Sequence, residues 1–123
     1  MAFARRVFQI AGIYGLLALL PLYFMEGRIG RDQPPPITHP EYFYGFVGLG
    51  VSWQVAFLII SRDPARFRPL MIPSVLEKAT FGIAVIALYA TGSTSGQVLA
   101  FGLIDLAIGV LFVISYVRSA GTS

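Results

Sequence analysis

Residues 42–61 read YFYGFVGLGVSWQVAFLIIS, a run without any charged side chain. A helix of about 20 apolar residues spans the roughly 30 Å hydrocarbon core of a bilayer. Lipid offers no hydrogen bonds to the backbone, so a run of this length inside a membrane has to be helical. The stretch therefore predicts a membrane-spanning helix.

Three further runs resemble it in length and polarity. We predict four spans, at about residues 5–25, 42–61, 69–90 and 97–117. The segments between them are typical of turns: residues 26–40 with three consecutive prolines, SRDPARFRP at 61–69 and TGSTSG at 91–96. Because short turns join antiparallel neighbours, the expected fold is an all-α, antiparallel four-transmembrane-helix bundle, a single domain over residues 1–123.

The composition limits the chemistry. Hydrophobic residues make up 56% of the chain and charged residues 12%, about half of the roughly 25% charge of a soluble domain. The chain has no cysteine and one histidine, His39, too few ligands for a metal, haem or iron–sulfur site. The arginines are not grouped as in a nucleic-acid-binding surface. We therefore expect no cofactor, no metal and no nucleic-acid partner.

The first span has some features of a signal peptide, because Arg5 and Arg6 precede an apolar run. It lacks a small-residue cleavage pattern and is long for such a segment. We expect a helix that is retained.

Positive residues near the span ends are distributed unevenly. Six fall on the side of both termini: Arg5, Arg6, Arg62, Arg66, Arg68 and Arg118. Only Arg28 and Arg31 fall on the other side. Cytoplasmic loops carry the excess of lysine and arginine. We therefore predict cytoplasmic N- and C-termini in a cell inner membrane, with residues 26–40 outside.

Three ionisable residues interrupt the predicted spans: Glu77, Lys78 and Asp105. Such residues are costly in a membrane unless they face the bundle interior or find a partner. At about 1.5 Å per residue, Glu77 lies level with Gln54 and Trp53, whereas Asp105 lies about one helical turn away. We therefore predict a buried polar layer around Glu77 and Gln54.

Several roles stay open at this point. The layer extends to Gln9 or Tyr14 of the first span. Lys78 is expected to extend its long stem to the cytoplasmic surface, with pairing to a carboxylate on another helix as the alternative. Asp105 is expected to accept hydrogen bonds from hydroxyls such as those of Ser52, Thr80 or a tyrosine, or to be protonated. Glu77 and Asp105 either form a proton relay or the polar end of a ligand pocket, or only hold helices together.

Small residues are the expected helix contacts, since helices in lipid associate by close packing. The candidates are Gly12 and Gly15, then Gly45, Gly48 and Ser52, then Ala79, Gly82 and Ala90, and finally Gly102 and Gly109.

Residues 41–89 contain the motifs YGFVG, WQ, DP-x-R-x-R and LEK, and residues 105–112 read DLAIGVLF. With these motifs the chain resembles small bacterial four-helix membrane proteins and, in size and in its last helix, the DoxX-like superfamily. Members of that superfamily are linked to respiratory or redox membrane complexes, but for this chain the resemblance implies only a bacterial inner membrane. No catalytic residue is carried over, because the chain lacks a redox ligand set.

Three functions fit these observations. The first is a non-enzymatic accessory or hydrophobic-ligand-binding bundle, with membrane lipids, a hydrophobic small molecule and a homo-oligomer or larger membrane complex as partners. The second is a small oligomeric proton-coupled transporter with Glu77 and Asp105 in its path. The third is an isomerase of a lipid-like substrate that uses Glu77 as acid or base.

The orientation can be tested with a reporter. Alkaline phosphatase fused after Pro36 is expected to be active, because the enzyme folds only outside the cytoplasm. The same enzyme fused after Arg118 is the matched control and is expected to be inactive. An inactive fusion after Pro36 would contradict the predicted topology.

Overall fold

The computed structural model describes residues 2–120, which fold as an all-α structure. Five helices follow one another: α1 (Ala2–Leu19), α2 (Glu26–Asp32), α3 (Pro40–Arg62), α4 (Met71–Ala90) and α5 (Gly96–Arg118). Short 3-10 turns, Leu20–Phe24 and Arg68–Leu70, extend α1 and precede α4. With these turns, α1, α3, α4 and α5 are long and apolar enough to cross a membrane. The predicted all-α four-helix membrane bundle is confirmed.

Helix α2 lies in the segment that the sequence assigned to a turn. It begins at Glu26 and carries Arg31 in its last turn, charges that suit the two ends of a helix dipole. Arg28 and Asp32 lie one turn apart, with Nε and Oδ2 at 3.5 Å. The prolines that follow cannot continue a helix, so α2 stays short.

Local chemistry explains where the spans begin and end. Pro40 opens α3 in the first turn, where its missing N–H costs nothing, and Pro64 prevents α3 from continuing. The hydroxyl of Ser95 caps α5 by accepting a hydrogen bond from the Val98 N–H at 3.3 Å. Gly92 supplies the positive φ of 74° in the turn before it.

Large apolar side chains cover the outside of the bundle. The most exposed ones occur on all four spans and include Leu17 at 73%, Leu49 at 68%, Ile83 at 61% and Val110 at 59%. A soluble protein rarely exposes continuous apolar surface. These faces are therefore suited to lipid.

Glycines bring the helices together in two pairs, α1 with α3 and α4 with α5. A Cβ added to Gly12 would lie 2.8 Å from a methyl carbon of Leu58, and one added to Gly102 would lie 2.8 Å from a methyl carbon of Val85. Such close approach is the expected mode of packing in lipid. A Cβ added to Gly45, in contrast, would have no atom of another helix within 4 Å among residues 2–120, so its predicted helix contact is wrong.

Three fully buried phenylalanines join the two pairs at one end of the bundle. Phe8 of α1 stacks on Phe112 of α5 with ring centroids 4.1 Å apart, and Phe57 of α3 meets Phe112 edge-on at 4.9 Å. At the same end, Arg68 donates from Nε to the carbonyl oxygen of Tyr116 at 3.0 Å. We call this the terminal end, because α1 begins and α5 ends there, and the opposite end the loop end.

Towards the loop end the two pairs touch through larger side chains. Phe46 of α3 and Phe81 of α4 stack with centroids 5.9 Å apart. Space is left between the helices behind these rings.

Replacing Gly82 by alanine is expected to destabilise the bundle. The added methyl would overlap Leu106 and lie 2.9 Å from the Gly102 carbonyl oxygen, and overpacking of this kind costs about 1–3 kcal/mol. Gly45→Ala is the matched control, since alanine is favoured over glycine inside a helix by about 0.5–1 kcal/mol. Thermal unfolding in detergent, followed by circular dichroism, measures both. Equal midpoints for the two variants would contradict the packing described here.

Candidate functional site

Three charged side chains on two helices lie inside the bundle. Lys78 of α4 is 3% exposed, and its Nζ lies 3.5 Å from Oδ1 of Asp105 on α5. The same Nζ lies 3.5 Å from Oε2 of Glu77, the preceding residue on α4. The carboxylates are 21% exposed for Glu77 and 15% for Asp105. We call these three residues the charge cluster.

The expectation that Lys78 extends to the membrane surface is wrong. Helix α5 approaches α4 at Gly109, where an added Cβ would lie 3.3 Å from the Lys78 Cβ, and the lysine stem is enclosed there. Its amine points inward and pairs with Asp105, the alternative left open by the sequence. The sequence places Glu77 and Asp105 at depths that differ by about one helical turn, but the lysine side chain is long enough to bridge that difference.

The hydroxyls considered as donors to Asp105 are used elsewhere. Ser52 donates to the Gly48 carbonyl oxygen at 2.9 Å, and Thr80 donates to the Leu76 carbonyl oxygen at 2.7 Å. Each bond closes within its own helix. The hydrogen bond of Asp105 to Lys78, at 3.5 Å, replaces the expected hydroxyl contact.

Gln54 contributes a polar group from α3. It is 1% exposed, and its Nε2 donates to the Gly50 carbonyl oxygen at 2.8 Å. Its side chain lies directly over Gly15 of α1, where any Cβ would overlap it. Its Oε1 has no hydrogen-bond partner among residues 2–120. The predicted buried position of Gln54 is thus confirmed, and it leaves an unused acceptor.

A cavity of about 440 Å³ connects Gln54 with the charge cluster and reaches towards the loop end. All five helices contribute to its wall. The lining side chains are mostly apolar or aromatic, and the polar ones lie at its two ends: Gln54, Glu77, Lys78 and Asp105 at the inner end, and Gln33 and Gln97 at the mouth. The wall includes Tyr14, Leu19, Leu22, Ile29, Phe46, Phe81 and Phe101. We call this space the central cavity.

The other residues of the predicted polar layer are placed differently. Tyr14 lines the central cavity. Gln9 is exposed on the outside of α1. Trp53 is half-buried, packs against the aromatic core with its ring 6.2 Å from that of Phe57, and does not line the central cavity.

The mouth of the central cavity is covered by a contact that the sequence did not reveal. Gln33, directly after α2, donates from Nε2 to Oε1 of Gln97 at 3.2 Å and accepts from the hydroxyl of Ser95 at 3.2 Å. These bonds tie the segment after α2 to the start of α5. A glutamine in a proline-rich loop carries no sequence signal for such a role, because its partner is 64 residues away.

The arrangement can bind a ligand with two different ends. An apolar part fits the wall, and a polar part meets the inner end. Within the described residues no group of three histidine, cysteine or carboxylate side chains could hold a metal ion. His39 lies on the surface, with Nδ1 3.8 Å from Oε1 of Glu41.

Comparison with protein-family models, with curated proteins and with solved structures finds no match to this chain.

Lys78→Met is expected to destabilise the protein strongly. The change keeps most of the side-chain length and its unbranched shape but leaves two largely buried carboxylates without their cation, and breaking a buried pair costs about 3–5 kcal/mol. Thermal unfolding in detergent measures the loss.

The matched control is the triple variant Glu77→Gln, Lys78→Met and Asp105→Asn, which removes all three charges together. Because an uncharged set needs no counter-ion, we expect it to regain most of the lost stability. A triple variant no more stable than Lys78→Met would show that the charge cluster is not the cause.

Proposed function

We propose that this chain is a multi-pass protein of a bacterial inner membrane that binds an amphipathic small molecule inside its helix bundle and does not transform it. The resemblance to small bacterial four-helix proteins and to the DoxX-like superfamily supports the location. The excess of arginine at the terminal end supports cytoplasmic termini. In the membrane the protein acts alone, as a homo-oligomer or as an accessory part of a larger complex.

The central cavity carries this proposal. Its volume of about 440 Å³ lies within the range of about 300–1,000 Å³ typical of small-molecule sites. Such sites combine apolar walls with a few polar groups that fix the orientation of the ligand. The central cavity has this design, because its polar groups are collected at the two ends.

The ligand would lie along the bundle axis. Its apolar part would pack against side chains such as Leu19, Leu22 and Phe101, and its polar part would reach Gln54 and the charge cluster. Gln33 closes the loop end of this path through its hydrogen bonds to Gln97 and Ser95. Both of these bonds join exposed or half-buried side chains, and such bonds contribute only about 0.5–1.5 kcal/mol each.

A proton-coupled transporter is the second candidate function. The observation that favours it is the charge cluster, in which two carboxylates from different helices face one ammonium. Ionisable side chains paired inside a membrane protein are typical of ion and proton pathways. Glu77→Gln should abolish transport by such a protein, whereas a ligand-binding bundle should still fold and retain its apolar site.

Membrane lipid is the partner we propose for a second cavity, of about 520 Å³, between α1 and α5. Its wall contains Ile10, Ile104 and Ile108, and Arg6 and Arg118 lie at its terminal end. An apolar groove with arginines at the interface suits an anionic phospholipid, since its acyl chain and phosphate would each find a matching surface.

Filling the central cavity is expected to remove its ligand. Ala18 lines the cavity, and Ala18→Phe would occupy part of the apolar wall. Native mass spectrometry of the protein purified in mild detergent should show a bound small molecule in the wild type and at least about tenfold lower occupancy in Ala18→Phe. Ala84→Phe is the matched control, because Ala84 is exposed on the outside of α4. Equal occupancy in all three proteins would contradict the proposed site.

A further inference from the structure

Acidic side chains outnumber basic ones at the inner end of the central cavity. Glu77 and Asp105 supply two carboxylates, and Lys78 supplies the one ammonium that faces them. Among the described residues that line the cavity there is no other cationic side chain. With all three groups ionised, the cluster has a net charge of −1 in an environment where an unbalanced charge is costly.

The geometry shows that the lysine does not satisfy both carboxylates. A strong bond between an ammonium and a carboxylate is about 2.7–2.9 Å long, but both distances here are 3.5 Å. Only the contact with Asp105 has hydrogen-bond geometry. Oε2 of Glu77 is buried and accepts no hydrogen bond from residues 2–120, although the Glu77 side chain is 21% exposed and lines the cavity.

Gln54 adds a second free acceptor. The orientation of its amide is fixed, because Nε2 donates to the Gly50 carbonyl oxygen at 2.8 Å and a flipped amide would bring two oxygens together. Oε1 is therefore the atom left without a partner, on a side chain that is 1% exposed and lines the cavity. A buried acceptor of this kind favours a ligand that donates a hydrogen bond.

The wall of the central cavity also favours a cation. Two aromatic side chains of the lining lie near its inner end: Tyr14 precedes Gly15, which contacts Gln54, and Phe81 lies one helical turn after Glu77. The face of an aromatic ring attracts an ammonium group, most strongly where water is excluded. An anionic head group would gain nothing from these rings and would meet the excess negative charge.

We infer that the head group of the ligand is a monocation with N–H donors, a protonated primary or secondary amine, carried on an apolar tail. This inference rests on the proposed binding in the central cavity. The ammonium pairs with the Glu77 carboxylate at the inner end, beside Gln54, while the tail follows the apolar wall towards Gln33.

Three probes with the same eight-carbon chain test the head group: octylammonium, 1-octanol and octanoate. Each is titrated into the full-length protein in mild detergent, and binding is measured by isothermal titration calorimetry. We expect octylammonium to bind about tenfold more tightly than octanol, the scale of a charge-assisted hydrogen bond with an aromatic contact. Octanoate is expected to bind most weakly. Ala18→Phe, titrated in parallel, measures uptake by the detergent alone.

Two variants assign the preference to its residues. Glu77→Gln leaves Lys78 and Asp105 as a balanced pair, so the protein should fold. Octylammonium should lose much more affinity than octanol, so that the tenfold preference disappears. Gln54→Leu keeps the charge and removes the free acceptor, so it should reduce the preference only in part.

The outcomes separate the inference from the function on which it rests. Equal binding of the three probes, lost in Ala18→Phe, would overturn the amine head group and leave the ligand-binding cavity in place. Tighter binding of octanoate would also overturn it and would assign the head-group contact to Lys78. A preference for octylammonium that persists in both Glu77→Gln and Gln54→Leu would overturn the role of these acceptors. If none of the three probes binds, both the ligand-binding cavity and the amine head group would be contradicted.

Discussion

The ammonium of Lys78 is buried where neither lipid nor water can solvate it, so it needs a partner inside the bundle. The position of α5 against α4 depends on that ion pair. A charged side chain in the membrane must pair or face a polar interior. Asp105 supplies that partner from α5, between Gly102 and Gly109, which let the two backbones approach. The glycines and the ion pair therefore act together, since a larger residue at either glycine would separate the helices that the pair connects.

Dense packing at one end of the bundle makes the open space at the other end possible. The stacked rings of Phe8 and Phe112, with Phe57 against them, join the two helix pairs at the terminal end. Aromatic pairs of this kind contribute about 0.5–1.5 kcal/mol each beyond the area they bury. With the pairs joined there, their loop ends do not need to pack against one another. The central cavity is thus a consequence of where the aromatic residues lie along the helices.

The spans could be predicted because each is a property of one segment, its length and its lack of charge. The charge cluster could not be predicted, because it depends on the length of the Lys78 side chain, which connects α4 to Asp105 on α5. Counting backbone depth placed Glu77 and Asp105 about a turn apart and ignored the length of Lys78. It also assigned Trp53 to the polar layer by depth alone, whereas the rotation of α3 turns its ring to the aromatic core. Helix α2 was missed because its seven residues contain two glycines and precede three prolines, a composition typical of turns. The contacts of Gln33 were missed because residues 64 apart carry no common pattern.

The same geometry bears on whether the buried charges serve structure alone. A pair that only holds two helices together needs one acid for one base, and Lys78 with Asp105 already provides it. Glu77 adds a second carboxylate, on the helix that also carries the lysine, so it contributes no link between helices. Retaining it there imposes a desolvation cost without an obvious gain in packing. Its position at the inner end of the central cavity supplies a reason, since a cation that enters the cavity would find a carboxylate there. The excess of one carboxylate over what helix association requires is therefore the feature that favours a binding site over a purely structural cluster.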